Sequence, residues 1–117
     1  MSDKTLQMTM LFDFFGDLLT EKQREYFDLY HNEDLSLSEI ADNVGITRQG
    51  VRDIIVRAEN TLTEYESRTG IVARFQQRNT GVEKAQALAS EIKNYTQDTK
   101  IKALADELTL ILESLKG

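Results

Sequence analysis

Between Ser36 and Arg57 the apolar residues Ile40, Val44, Ile46, Val51 and Ile54 alternate with polar and charged ones. Spacings near three and four mark helices with one buried face. With Leu37 as the first position, Ala41 is the fifth and Gly45 the ninth. Two helices that cross steeply need a small side chain where their backbones approach, and Ala41 supplies it. The turn between them needs one residue with positive φ, which glycine adopts without strain. The stretch is therefore read as a helix-turn-helix, with the apolar positions clamping the second helix onto the first and leaving its outer face free.

The same reading extends in both directions. Thr5 to Leu19 is a very apolar first helix. Leu6, Met10, Phe14 and Leu18 form its i, i+4 stripe, and Met8, Leu11, Phe12 and Phe15 widen it. Such a helix is expected under other helices or in a subunit interface. Thr20 and Gln23 form a capping box that opens a second helix, Glu21 to about His31, with Tyr26, Phe27 and Tyr30 inward. Asn32-Glu33-Asp34 is a polar turn. Ser36 and Glu39 make a second capping box, for a third helix ending near Asn43. Thr47 caps a fourth helix, which meets no strong breaker before Gly70 and so spans about 30 Å. After Gly70, Asn79-Thr80-Gly81 predicts a break or kink. Val82, Ala85, Ala89 and Ile92 follow, then a turn at Tyr95–Asp98. Ile101, Leu104, Leu108, Ile111 and Leu115 form a short heptad seam. Helices over 82–95 and 100–115 fit a hairpin. The seam packs either within the chain or across a dimer.

Composition sharpens this picture. The chain has 117 residues, 40% of them apolar, with no proline and no cysteine. A core can form, long helices are favoured, and disulfides and thiolate metal sites are excluded. The apolar run Met8–Phe15 is too short to cross a bilayer, so a cytoplasmic chain is expected. The net charge is −6. Residues 1–69 hold 7 basic and 14 acidic side chains, and residues 70–117 hold 7 and 6. The helix-turn-helix half is thus the acidic half. A duplex reader draws most of its affinity from Lys and Arg on phosphates, so a lone monomer would bind DNA weakly. A homodimer built from apolar faces of the first helix and the tail is expected. The organisation expected is an N-terminal helix with a helix-turn-helix domain over 1–69 and a helical extension over 70–117.

The candidate chemistry lies on the fourth helix. Arg48, Gln49 and Arg52 share its outward face, with Thr47 at its mouth. Arginine pairs bidentately with guanine and glutamine with adenine in the major groove. Thr47 and Arg57 suit phosphate contacts, Thr47 with help from the helix N-terminus. The same face also reads as solvated surface with an i, i+4 pair between Asp53 and Arg57. His31, the one histidine, has no metal-binding neighbours in sequence and reads as a surface or turn residue. Glu64 and Glu66 read as solvated helix charge, and Met8 and Met10 as core filler. No phosphate loop, nucleophile constellation or metal cluster is visible, so neither an enzyme nor a cofactor is expected.

Leu19 to Leu62 resembles region 4 of bacterial sigma factors, the promoter-reading part. The shared features are the LTEKQRE helix start, an aromatic-rich helix, LSLSEIA, a glycine-containing turn and a helix ending in an Arg-Ala pair. The short stretch ahead of Thr20 leaves no room for a polymerase-binding domain, so the chain itself is not expected to be a sigma factor. More specifically, LFDFFGDLLTEKQREYFDLYHNEDLSLSEIA followed by TRQGVRD is similar to the YlxM family of Gram-positive bacteria. Position 50 departs from that motif, with Gly in place of Ala. The resemblance implies an all-α fold with a sigma region 4-like, winged-helix-type three-helix core without a wing. It also implies a regulatory or accessory role in the signal recognition particle pathway. Two readings follow. In one, the helix-turn-helix contacts DNA or the particle RNA. In the other, it docks a protein of the targeting pathway without specific DNA binding.

Overall fold

A computed structural model describes residues 3–117, and every regular element among them is helical. The fold is all-α, as the sequence predicts. The helices are α1 (Asp3–Phe15), α2 (Glu21–His31), α3 (Leu37–Val44), α4 (Arg48–Thr69), α5 (Ile71–Tyr95) and α6 (Thr99–Leu115). A 3-10 turn, Gly16–Leu18, follows α1, so the first α-helix stops four residues before Leu19. The chain forms two compact units, one through Val72 and the other Ala73–Gly117.

In the first unit the helix starts are built as the capping residues dictate. Thr20 accepts from the Gln23 amide at 3.2 Å, and Gln23 returns an acceptor to the Thr20 amide at 3.0 Å. Ser36 and Glu39 reciprocate at 3.0 Å each way. The exposed Glu39 carboxylate is held below its ordinary value of 4.5, first by the Ser36 amide and then by its hydroxyl. Gly45 ends α3 in the left-handed region at φ 78°, its amide donating to Ala41 O at 2.9 Å. Gly70 ends α4 in the same way at φ 63°. A side chain at either position would strain the backbone.

Helix α4 packs against α1, α2 and α3. Its inward residues are Val51, Ile55, Ala58 and Leu62, a 4, 3, 4 stripe. Ile55 thus faces the core, whereas Ile54 is only half-buried and Ile46 is exposed. Two apolar clusters share this helix. One joins Val51 and Ile55 to Tyr26, Ile40 and Ala41. The other joins Ala58 and Leu62 to Leu11, Phe15, Leu19, Phe27 and Val72.

The expected stripe on α1 is displaced. Leu6, Phe14 and Leu18 are exposed, while Leu11 and Phe15 are buried, with Met8, Met10 and Phe12 packed beside them. Aromatic contact selects this face, for Phe12 stacks on Phe27 with centroids 4.6 Å apart and Phe15 on Tyr65 at 5.9 Å. Tyr30 is exposed rather than inward.

In the second unit α5 runs unbroken through Asn79-Thr80-Gly81, where a break was expected. One glycine costs a helix about 1 kcal/mol, which the surrounding turns of a 25-residue helix offset. The Thr80 hydroxyl donates back to Gln76 O at 2.9 Å, within the helical pattern. Asp98 caps α6 by accepting from the amides of Lys100 and Ile101. The hairpin is antiparallel, as Lys93–Asp106 (2.8 Å) and Gln86–Glu113 (2.8 Å) show. Gln86, and after it Lys116, holds the Glu113 carboxyl below 4.5.

Candidate nucleic-acid interface

The candidate surface is the first three turns of α4. Thr47 stands at its N-cap with extended backbone, and its hydroxyl oxygen accepts from the Gly50 amide at 3.0 Å. That leaves the hydroxyl proton free to donate outward. No acidic residue sits in the first turn of α4, whereas α2 has Glu21 there and α3 has Glu39. The positive end of the helix dipole therefore meets no carboxylate in that turn.

Thr47, Arg48, Gln49 and Arg52 are all exposed. At about 100° per residue, Arg48, Arg52 and Gln49 fall within one arc of about 100°. Arg57 lies about 140° around the helix from Arg52, so the structure does not gather it with the other three. Among the described residues, ion pairing engages none of these three arginines. The Asp53–Arg57 pair is not formed. Asp53 accepts instead from the Gln49 side-chain amide at 2.9 Å. This bond orients Gln49 and also fixes a carboxylate on the face that would meet a groove.

The structure corrects the reading of His31. It is buried, and its Nε2 lies 2.7 Å from Glu59 Oε2. The ring packs on Phe27 at 4.3 Å and edge-on to Tyr30 at 5.1 Å. The partner is 28 residues away, so local spacing carried no sign of it. What the sequence does offer is the 3.6 period, which places Glu59 one residue from Ala58 on the inward side of α4. Glu66 is likewise more than solvated charge, because its Oε1 accepts from the Val72 amide at 2.9 Å at the start of α5.

His31 and Glu59 line a pocket of about 280 Å³ with Lys4, Thr5, Tyr30, Leu37, Arg52, Ile55 and Val56. Arg52 therefore belongs both to the outward arc and to the lining of this pocket. Lys4, which sequence reading passed over, is a second cation beside it. Among the described residues, no cluster of His, Cys, Asp or Glu could hold a metal ion. No helix among them is long and apolar enough to cross a membrane.

Comparison with known proteins places this architecture in a family. The family described as UPF0122, "Putative helix-turn-helix protein, YlxM / p13 like", matches residues 2–105. A UPF0122 protein of Halalkalibacterium halodurans is 44% identical over 116 residues, 98% of this chain and 96% of the relative. One from Thermoanaerobacter sp. (strain X514) is 39% identical over 115 residues, 98% of each chain. One from Bacillus thuringiensis is 44% identical over 100 residues, 86% of this chain and 91% of the relative. The chain belongs to the UPF0122, YlxM / p13-like family of helix-turn-helix proteins.

Proposed function

We propose that this member of the UPF0122 family is a regulatory or accessory protein of the signal recognition particle pathway that contacts nucleic acid through α4. It acts in the cytoplasm, as a homodimer, by binding rather than catalysis. The observation that carries the reading is the exposed arc of Arg48, Gln49 and Arg52 at a helix start free of acidic residues. Arg52 and Gln49 meet base edges. Arg48 lies on the same base-facing arc, Thr47 meets a phosphate at the helix mouth, and Arg57 meets a phosphate from the other flank. The pathway assignment rests on the YlxM resemblance, and the ligand is duplex DNA or the particle RNA.

A second reading has its own observation. Gln49 is bonded to Asp53 on the same face, and the residues through Val72 carry 7 basic against 14 acidic side chains. Both oppose a polyanion and suit docking to a basic protein surface of the targeting machinery. Salt-titrated binding of the full chain to duplex DNA, particle RNA and particle protein separates the two. Nucleic-acid affinity that falls steeply with salt supports the first. Affinity for the protein alone supports the second. Binding to none of the three at low salt and micromolar concentration defeats both.

A further inference from the structure

We infer that the exposed apolar face of the α5–α6 hairpin is the surface on which a second copy of this chain docks, closing a four-helix bundle. The inference rests on the two-copy part of the proposed function and names the surface that part needs. The helices of the hairpin meet each other through small side chains. Val82, Ala89 and Ala105 are its buried apolar residues, and the cross-links between the helices are polar. Among the larger apolar residues, Phe75 and Leu112 are half-buried, and the others from Leu88 onward are exposed. Leu104, Leu108, Ile111 and Leu115 of the heptad seam are 44–55% exposed, and Leu88 and Ile92 on α5 are 53% and 51% exposed. Tyr95 and Ile101 extend the face to an apolar groove of about 590 Å³ next to the turn.

A unit of about 45 residues in which only Val82, Ala89 and Ala105 are buried and Phe75 and Leu112 half-buried has a thin core for its size, and pairing is the usual remedy. The seam that should fill such a core is present but faces solvent. Monomeric proteins rarely leave a contiguous apolar patch of this extent uncovered. Its eight large side chains, at roughly 90 Å² each, offer about 700 Å², close to the ~800 Å² per partner of a stable interface.

Charge selects a second copy as the occupant. Ala73–Gly117 carries seven basic and six acidic side chains, so two hairpins meet without net repulsion. Pairing through the residues up to Val72 would set two strongly acidic surfaces against each other. The face is also suited to two-fold pairing. It spans both helices of an antiparallel hairpin, so the same patch serves both copies, and the 3, 4, 3, 4 spacing on α6 is that of helices packing at a shallow angle.

The test is the mass of the full chain in solution, without nucleic acid, by light scattering and sedimentation equilibrium from nanomolar to tens of micromolar. Wild type is expected at twice 13.4 kDa. Leu104→Glu/Leu108→Glu is expected at 13.4 kDa under the same conditions, whether or not its hairpin stays helical. Leu110→Glu, at an exposed position off the seam, is expected to remain a dimer. A nitroxide on Ser114→Cys, in a chain with no other cysteine, provides a readout that leaves the seam intact. Dipolar broadening between copies is expected, and it should vanish on dilution with unlabelled protein. A wild-type monomer, which would assign the face to a different protein, overturns the inference. So does a dimer that survives Leu104→Glu/Leu108→Glu, or a label without broadening. Because no ligand is present, these outcomes are independent of whether α4 binds nucleic acid.

Discussion

Replacing Glu59 with alanine tests what holds α2 against the candidate reading helix. Glu59 Oε2 and His31 Nε2 lie 2.7 Å apart, with side chains 16% and 6% exposed. Alanine removes the carboxylate and strands a ring nitrogen where little water reaches. A buried polar group left without its partner costs about 1–3 kcal/mol. Breaking a fully buried ionic pair costs about 3–5 kcal/mol, but Glu59 keeps some access to solvent. The expected loss is therefore about 1–2 kcal/mol. His31→Phe preserves the ring packing on Phe27 and Tyr30 and leaves Glu59 partly hydrated, so its cost is smaller, about 1 kcal/mol or less. Urea unfolding of the two single variants and the double variant gives the coupling, expected at about 1 kcal/mol. A Glu59→Ala protein within about 0.5 kcal/mol of wild type, or single effects that simply add, would refute the pair as a tie between α2 and α4.

Other expectations concern the helix starts. If α4 reads duplex DNA, Arg52→Ala should cost about 1–3 kcal/mol at a specific site and relax base preference there. Arg57→Ala should weaken all sequences alike and reduce the salt slope by about one unit. Anisotropy titrations over a salt series check both, and unchanged DNA binding in both variants would point to the protein-docking reading. Gly50→Ala should gain up to about 1 kcal/mol of helix preference. The new Cβ would stand 3.2 Å from Thr47 Oγ1 and 3.4 Å from Ile46 Cδ1, and both residues are exposed and able to give a few tenths of an ångström. A net gain near 0.5 kcal/mol is expected in thermal unfolding, and destabilisation would mean that the cap cannot shift. Glu39 should titrate below 4.5 by carbon-detected NMR. Its capping bonds favour the charged form in the folded state, so this contribution is complete above the unfolded value and fades as pH falls through the folded one. A Glu39 midpoint at or above 4.5 would contradict the capping-box geometry.

Helix starts were legible in the sequence because they depend on neighbours three residues away. The capping boxes of Thr20 with Gln23 and Ser36 with Glu39 formed as expected, and Thr47 caps α4, its partner being the Gly50 amide. Gly45 was legible for the same reason, since a left-handed residue at the ninth position of this motif leaves few alternatives. What escaped were choices made by distant partners. The buried side of α1 is fixed by Phe27 and Tyr65, so an α1 greasy on most sides could not announce which face would turn inward. The burial of His31 depends on a carboxylate 28 residues away. The continuity of α5 through Gly81 reflects helix cooperativity, against which a local breaker signal is weak. The arc of Arg48, Gln49 and Arg52 followed from period alone, but the bond from Gln49 to Asp53 required side-chain geometry.

The sharing of α4 between two apolar clusters makes that helix a lever. Val51 and Ile55 seat its N-terminal half among α2 and α3, and Ala58 and Leu62 seat its later turns against α1. At 22 residues it is about 33 Å long, so a tilt of about 5° at one end moves the other by about 3 Å. That is the width of a hydrogen bond. The direction in which Arg52 points is therefore set partly by how Phe15 and Tyr65 stack, between three and four turns of helix away. If α4 contacts nucleic acid as proposed, a repacking of α1 retunes recognition without touching any residue of the proposed contact surface.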